Sequence, residues 1–163
     1  MKIKKYNSCD ELELTKLISE FRVSLAKLKG SERELDLKAA EKELEFYLMK
    51  KYPIFIAEGR KGKLIGFHVC KIQDDIIWSE ALYVTPEERR KGVGSALYEK
   101  AETIAENLGC ETVYNWVHPN NFRSILFLQK RGYSVLNLIE VCKKRTDEKL
   151  TQNIKVGNFE FDY

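Results

Sequence analysis

Residues 89–98 read RRKGVGSALY, a run in which chemistry is easy to imagine. Arg89, Arg90 and Lys91 stand in a row, and Gly92, Val93, Gly94 and Ser95 follow where a helical pattern begins. A helix start exposes N–H groups without partners and the positive end of the helix dipole, and together these bind anions. Glycine has no Cβ, so its backbone can approach a ligand closely and can take positive φ. Positive charge beside bare backbone suits a phosphate or diphosphate; the plain alternative is a glycine-rich turn with solvated charges. The NTPase pattern G-x-x-x-x-G-K-[ST] is absent, and the dinucleotide pattern G-x-G-x-x-G fails at Leu97.

The elements that must position this turn are legible from periodicity and punctuation. Residues 2–6 read as a short first strand. Ser8-x-x-Glu11 reads as a capping box, followed by apolar residues at helical spacing from Leu14 to Leu28, with Gly30 as the stop. Ser31-x-x-Glu34 repeats the start signal, predicting a second helix to about Lys50. Beyond Pro53, residues 54–59, 63–72 and 76–84 read as three strands joined by turns at 60–62 and 74–75. A helix follows the glycines and ends at Gly109; a strand is predicted over 111–117, a turn at 118–121 and a helix over 122–131 closed by Gly132. Residues 133–144 read as a strand, RTDEKLTQN (145–153) as a polar loop, and 154–163 as a terminal strand or hairpin. The order predicts a mixed α/β (α+β) domain with a mostly antiparallel sheet flanked by helices. Its strand–helix–strand crossover from 76 to 117 requires one parallel pair.

Two stretches resemble motifs of the GNAT superfamily of N-acetyltransferases. Arg89-x-x-Gly92-x-Gly94 fits the family's [Q/R]-x-x-G-x-[G/A], directly after the strand WSEALYV. Asn121, Ser124, Phe127, Gly132 and Tyr133 fit N-x-x-[A/S]-x-x-F-Y-x-x-x-G-[F/Y]. The element order matches as well, and the resemblance covers about residues 2–144, with 145–163 read as a loop and hairpin completing the same domain.

The resemblance implies a domain that transfers acetyl from acetyl-CoA to a primary amine, with central strands that splay apart. It places the diphosphate on residues 89–95 and the pantetheine arm on the backbone of Leu82, Tyr83 and Val84. The amide of about Val84 would polarise the thioester carbonyl. Asn121 is the family's pantetheine contact and equally a helix N-cap. A protonated amine must lose a proton before it attacks, and Glu80, four residues before Val84, is the expected base; its plain alternative is an edge carboxylate facing solvent. The family's acid, a tyrosine after the motif phenylalanine, is here Leu128, so Tyr133, Tyr83, Tyr114 or water must protonate the departing thiolate. That departure keeps a second reading in view, an acyl-CoA-binding sensor or interaction module without turnover. His68 reads as a packed core histidine.

Composition narrows the field further. One domain is expected for 163 residues, and 44% hydrophobic with 33% charged residues is ordinary globular composition. Net charge is only +3, without the clustered basic excess of a nucleic-acid binder. Cys9, Cys70, Cys110 and Cys142 lack metal-ligand spacing and are expected as buried free thiols in a reducing cytoplasm, with no metal. No signal peptide or membrane span is expected. The acceptor side, residues 27–51, is rich in Glu and Lys, and the apolar terminal segment is a candidate homodimer contact.

Overall fold

Hairpin closure builds most of the sheet. The computed structural model describes residues 1–146 and 149–163. Strand β1 (Lys2–Lys5) pairs antiparallel with β2 (Ile54–Glu58), β2 with β3 (Leu64–Gln73), and β3 with β4 (Ile76–Val84). The β3–β4 turn places Asp74 and Asp75 at φ 51° and 59°, the left-handed pair that a tight two-residue hairpin demands. Strand β5 (Tyr114–Asn115) lies parallel to β4, giving the sheet order β1-β2-β3-β4-β5. The fold is therefore the mixed, mostly antiparallel α/β architecture that the element order predicts, with its single parallel pair at β4–β5.

The chain divides into two compact units, residues 1–23 with 34–116 and residues 24–33 with 117–163. In the first, α1 (Glu11–Leu28, counted here to Val23) and α2 (Leu37–Met49) cover one face of the sheet. Leu14, Leu17 and Ile18 from α1 and Leu44 and Tyr47 from α2 meet Ile56, Phe67 and Val69 in one buried cluster. Helix α3 (Val93–Asn107) packs on β2, β3 and β4, burying Leu97, Tyr98, Ala101 and Ala105. Gly66 on β3 allows two close approaches. A Cβ there would lie 2.7 Å from the Tyr83 carbonyl oxygen and 3.2 Å from Leu97 Cδ1. In the second unit, α4 (Phe122–Lys130) follows the turn at 118–121, and β6 (Asn153–Val156) and β7 (Phe159–Asp162) form a separate antiparallel hairpin.

Helix starts and strand lengths depart from the sequence reading in instructive ways. The first cap is Asn7, one residue upstream: its side chain accepts from Cys9 N–H at 2.9 Å while its own N–H donates to Asp10. The second is Asp36, not Ser31. The Asp36 carboxylate accepts from Ala39 N–H at 2.9 Å and its own N–H donates to Ser19 Oγ at 2.8 Å, so contact with α1 decides where α2 begins. Ser31 donates instead to the Ala26 carbonyl at the end of α1. The strand predicted over 111–117 shrinks to two residues, the length over which β4 supplies a partner. Residues 133–144 form no strand. The run VLNLIEV lacks strict alternation, its side chains are exposed, and no ladder partner meets its backbone among the described residues. The polar loop expected over 145–153 includes Asp147 and Glu148, which lie outside the described residues.

All four cysteines are free, but only Cys70 is fully buried, and burial pushes its thiol up to about 12. Cys110 donates to the Asp75 carbonyl at 2.7 Å, and Cys9 and Cys142 are exposed, against the expectation of four buried thiols. No helix among the described residues is long and apolar enough to cross a membrane. Because the atoms facing a Gly66 Cβ include backbone that cannot swing aside, Gly66→Ala is expected to cost about 1–3 kcal/mol of stability, read by urea unfolding.

Candidate active site at the parting of two strands

The strand before the glycine turn is irregular at one residue. Pairing of β3 with β4 runs Phe67↔Tyr83, His68↔Leu82 and Val69↔Ala81, then resumes at Cys70↔Ser79. Glu80 is the extra residue, so β4 carries a bulge there. On the other side, β4 pairs with β5 only at Trp78↔Tyr114 and Ser79↔Asn115. From Glu80 onward β4 has no ladder partner on its β5 side among the described residues.

The ladder itself tells which peptide groups face that opening. Thr85 N–H donates to the Ile65 carbonyl at 3.0 Å, so 65–85 is a hydrogen-bonded pair. Antiparallel pairs alternate, which makes Phe67↔Tyr83 hydrogen-bonded and leaves Gly66↔Val84 and His68↔Leu82 non-bonded. The peptide groups of Leu82 and Val84 therefore point away from β3, while those of Tyr83 point toward it. The Val84 carbonyl is taken by Arg89, whose Nε donates at 2.9 Å; the same guanidinium lies 5.6 Å from the Tyr83 ring centre.

The glycine turn completes this end of the strand. Arg90 (φ 64°) and Gly92 (φ 83°) are left-handed, and Gly92 is the N-cap of α3 with no side-chain cap. The first intrahelical donor is Ala96, which reaches Gly92 at 3.0 Å, so Val93, Gly94 and Ser95 present their N–H groups at the helix start. Lys91 is exposed and pairs with Glu88 at 3.3 Å, while Arg90 pairs with no carboxylate among the described residues. Val93 is buried and seats the helix, and Gly94 and Ser95 stay half-buried.

Glu80 turns toward the α1/α2 face. Its Oε2 is buried and has no hydrogen-bond partner among the described residues. Two phenols feel its charge. Burial first, and then Glu43 and Glu80, push the Tyr47 hydroxyl far above its ordinary value; burial and then Glu80 raise Tyr52. Tyr47 donates to Glu43, which is gripped by Arg22 through Nε at 2.6 Å and Nη2 at 2.5 Å. Nearby Tyr83 donates to Glu20 at 3.1 Å. Tyr47 and Tyr52 were not legible as site residues, since FYLMKKY reads only as the end of an amphipathic helix.

Of the remaining predicted residues, Tyr114 is on β5 in the first unit, its ring 5.0 Å from Trp78, and Asn121 and Tyr133 lie in the second. Asn121 caps α4, its Oδ1 accepting from Ser124 N–H at 3.2 Å. Tyr133 follows that helix and donates its N–H to the Leu128 carbonyl at 3.1 Å, and the Leu128 side chain is buried. The structure thus brings Glu80, Leu82, Val84 and residues 92–95 into one unit.

The sequence model of the acetyltransferase (GNAT) family matches residues 18–133. The chain belongs to the GNAT family of acetyltransferases. A mycothiol acetyltransferase from Propionibacterium freudenreichii subsp. shermanii is 30% identical over 88 residues, 52% of this chain and 28% of that protein. This GNAT chain therefore aligns with little more than a quarter of that relative's length. An aminoglycoside 6'-N-acetyltransferase from Acinetobacter haemolyticus superposes with TM-score 0.70 at 18% identity, over 90% of this chain and 100% of that one. AAC(6')-Iy bound to the bisubstrate analogue CoA-S-monomethyl-acetylneamine gives TM-score 0.67 at 21% identity, over 88% and 97%. At these identities the likeness is one of fold.

Beneath the bulge, His68 is wholly buried, and burial lowers it to about 4. Folding therefore favours its neutral form. The unfolded chain takes up a proton below about pH 6.5 while the folded chain does not, so stability falls as pH drops from about 6.5 toward 4. This ring alone should cost about 2 kcal/mol between pH 7 and pH 5. Urea unfolding at both pH values checks this: His68→Gln should show a smaller loss than the parent by about that amount.

Proposed function

We propose that this GNAT chain transfers an acetyl group from acetyl-CoA to a primary amine, with Glu80 as the general base. The observation that carries the reading is the buried, unpartnered Oε2 of Glu80, the residue that directly follows the last β4–β5 pair. A carboxylate oxygen removed from water normally finds a donor, and leaving it bare suits a site that receives one from its substrate. The aminoglycoside acetyltransferase neighbour bound to a CoA bisubstrate analogue supports the choice of co-substrate.

The residues present fit acetyl-CoA, which supplies the activated acetyl group. Val93, Gly94 and Ser95 would hold the diphosphate through N–H groups that no side chain shields, with Arg90 and Lys91 adding charge. Leu82 and Val84 would pair with the pantetheine amides as a missing strand would. The freed Val84 N–H is the candidate donor to the thioester oxygen. Tyr83 has its peptide group turned to β3 and its hydroxyl on Glu20, and Arg89 acts by fixing the end of β4. The family resemblance alone adds Asn121 as a pantetheine contact and Tyr133 as proton donor to the leaving thiolate.

An alkyl ammonium has a pKa of about 10.4 and cannot attack while protonated. Glu80 takes that proton, directly or through one water. The nitrogen lone pair then forms the N–C bond as the C–S bond breaks; the nitrogen gives up a second proton to leave a neutral amide, and the coenzyme A thiolate takes up one proton to become the thiol. Glu43 is already taken by Arg22 and Tyr47, so Glu80 is the carboxylate on the α1/α2 face left to draw a cationic acceptor. A second reading, a CoA-binding module without turnover, draws on Leu128, whose apolar side chain stands where the family's acid is expected.

Thiol release from acetyl-CoA over a panel of a diamine, a polyamine, an aminoglycoside and a lysine peptide separates the two readings, since the module gives none. Glu80→Gln should lower kcat about 100-fold or more while acetyl-CoA affinity stays within about twofold; equal losses of both would show that the base is misplaced. Gly94→Glu sets bulk and negative charge at the helix start and should weaken acetyl-CoA binding at least about 100-fold by calorimetry. Unchanged affinity would place the diphosphate elsewhere.

A further inference from the structure

What keeps the bulge at Glu80, and not one residue to either side? Along an unbroken strand, residues 79, 81 and 83 would share a face. Here they do not. Ala81 and Tyr83 join the core built with α1 and α2, whereas Ser79 reaches the opposite side, where α3 packs. The bulge switches the face, and Glu80 is the residue at the switch.

Ser79 is held on the α3 side by His68. The imidazole is fixed at three points: Nδ1 meets the Leu97 carbonyl at 3.2 Å, Nε2 meets Ser79 Oγ at 2.9 Å, and the ring stacks on Tyr98 at 5.5 Å and 11°. A carbonyl only accepts, so Nδ1 carries the proton and Nε2 accepts from the serine hydroxyl. A second tether lies beside the first. Tyr98 donates to Asn115 Oδ1 at 3.0 Å, and Asn115 is the partner of Ser79 across β4–β5. Both strands are thus tied to α3 at the last pair before they part. A slip of the bulge by one residue would carry the Ser79 hydroxyl away and leave a wholly buried ring nitrogen unpaired.

We propose that His68, acting through Ser79, is a positioning residue that sets the bulge and so aims the Glu80 carboxylate at the acceptor side. The inference rests on the reading of Glu80 as the base. It does not make His68 or Ser79 touch either substrate.

The test compares Ser79→Ala, which removes one oxygen, with Ser79→Thr, which keeps the hydroxyl. The acceptor is whichever amine of the panel gives the fastest thiol release. Ser79→Ala should lower kcat about tenfold with KM for acetyl-CoA within about twofold, and Ser79→Thr should return kcat to within about threefold of the parent. In NMR spectra the cross-strand Val69–Ala81 contacts that report the register should be lost in the alanine variant and kept in the threonine one. Parental kcat and register in Ser79→Ala, or an equal loss in Ser79→Thr, would overturn the proposal. Should the parent release no thiol with any amine, the acetyltransfer reading fails. The register measurement then decides the positioning claim by itself, with an unmoved bulge in Ser79→Ala counting against it.

Discussion

A peptide group removed from one partner must find another, and the candidate site is organised around that demand. Strand β4 is paired on both sides at Trp78 and Ser79, then, among the described residues, keeps β3 alone. Its outward groups at Leu82 and the Val84 N–H are left without a strand partner among the described residues, a place that an extended ligand with its own amides can take, while the Val84 carbonyl is held by Arg89. The helix that follows begins with donors of the same kind. One continuous line of backbone polarity thus runs from mid-strand to the first turn of α3, and side chains are needed mainly to keep it open.

Several charged residues serve this line indirectly. Arg89 opens the basic run and also the family motif, yet its Nε grips the Val84 carbonyl and its guanidinium covers Tyr83. It fixes the direction in which the chain leaves the sheet. Gly92 then adopts a left-handed conformation that side chains disfavour, which starts α3 without a capping side chain over its N–H groups. The basic side chains left for long-range attraction are Arg90 and the loosely engaged Lys91, both at the surface.

How much of this could be read in advance depends on the range of the interaction involved. The helix over 93–107, the hairpin at Asp74-Asp75 and the anion-suited turn follow from local rules of periodicity, positive φ and helix termini, and the sequence carries them plainly. Glu80 was legible as a carboxylate on the strand before the glycine turn. That it sits on a bulge was not, because SEALYV has no glycine or proline to mark an irregularity. The bulge is maintained by His68 and Ser79, eleven residues apart, and only pairing brings them together. The start of α2 fails for a like reason: Ser31 and Asp36 both offer caps, and Ser19 on another helix selects the second. Residues 133–144 have strand composition, but composition supplies no partner.

The distribution of sulfur has a practical side. Cys70 is wholly buried in the sheet, and burial holds its thiol up to about 12, which makes it the least available of the four to disulfide reagents. Cys9 and Cys142 lie open to solvent. A colorimetric reagent that counts liberated coenzyme A will first register those two side chains, so the protein brings its own background to such a measurement. The same two positions offer handles for attaching a fluorophore without entering the sheet.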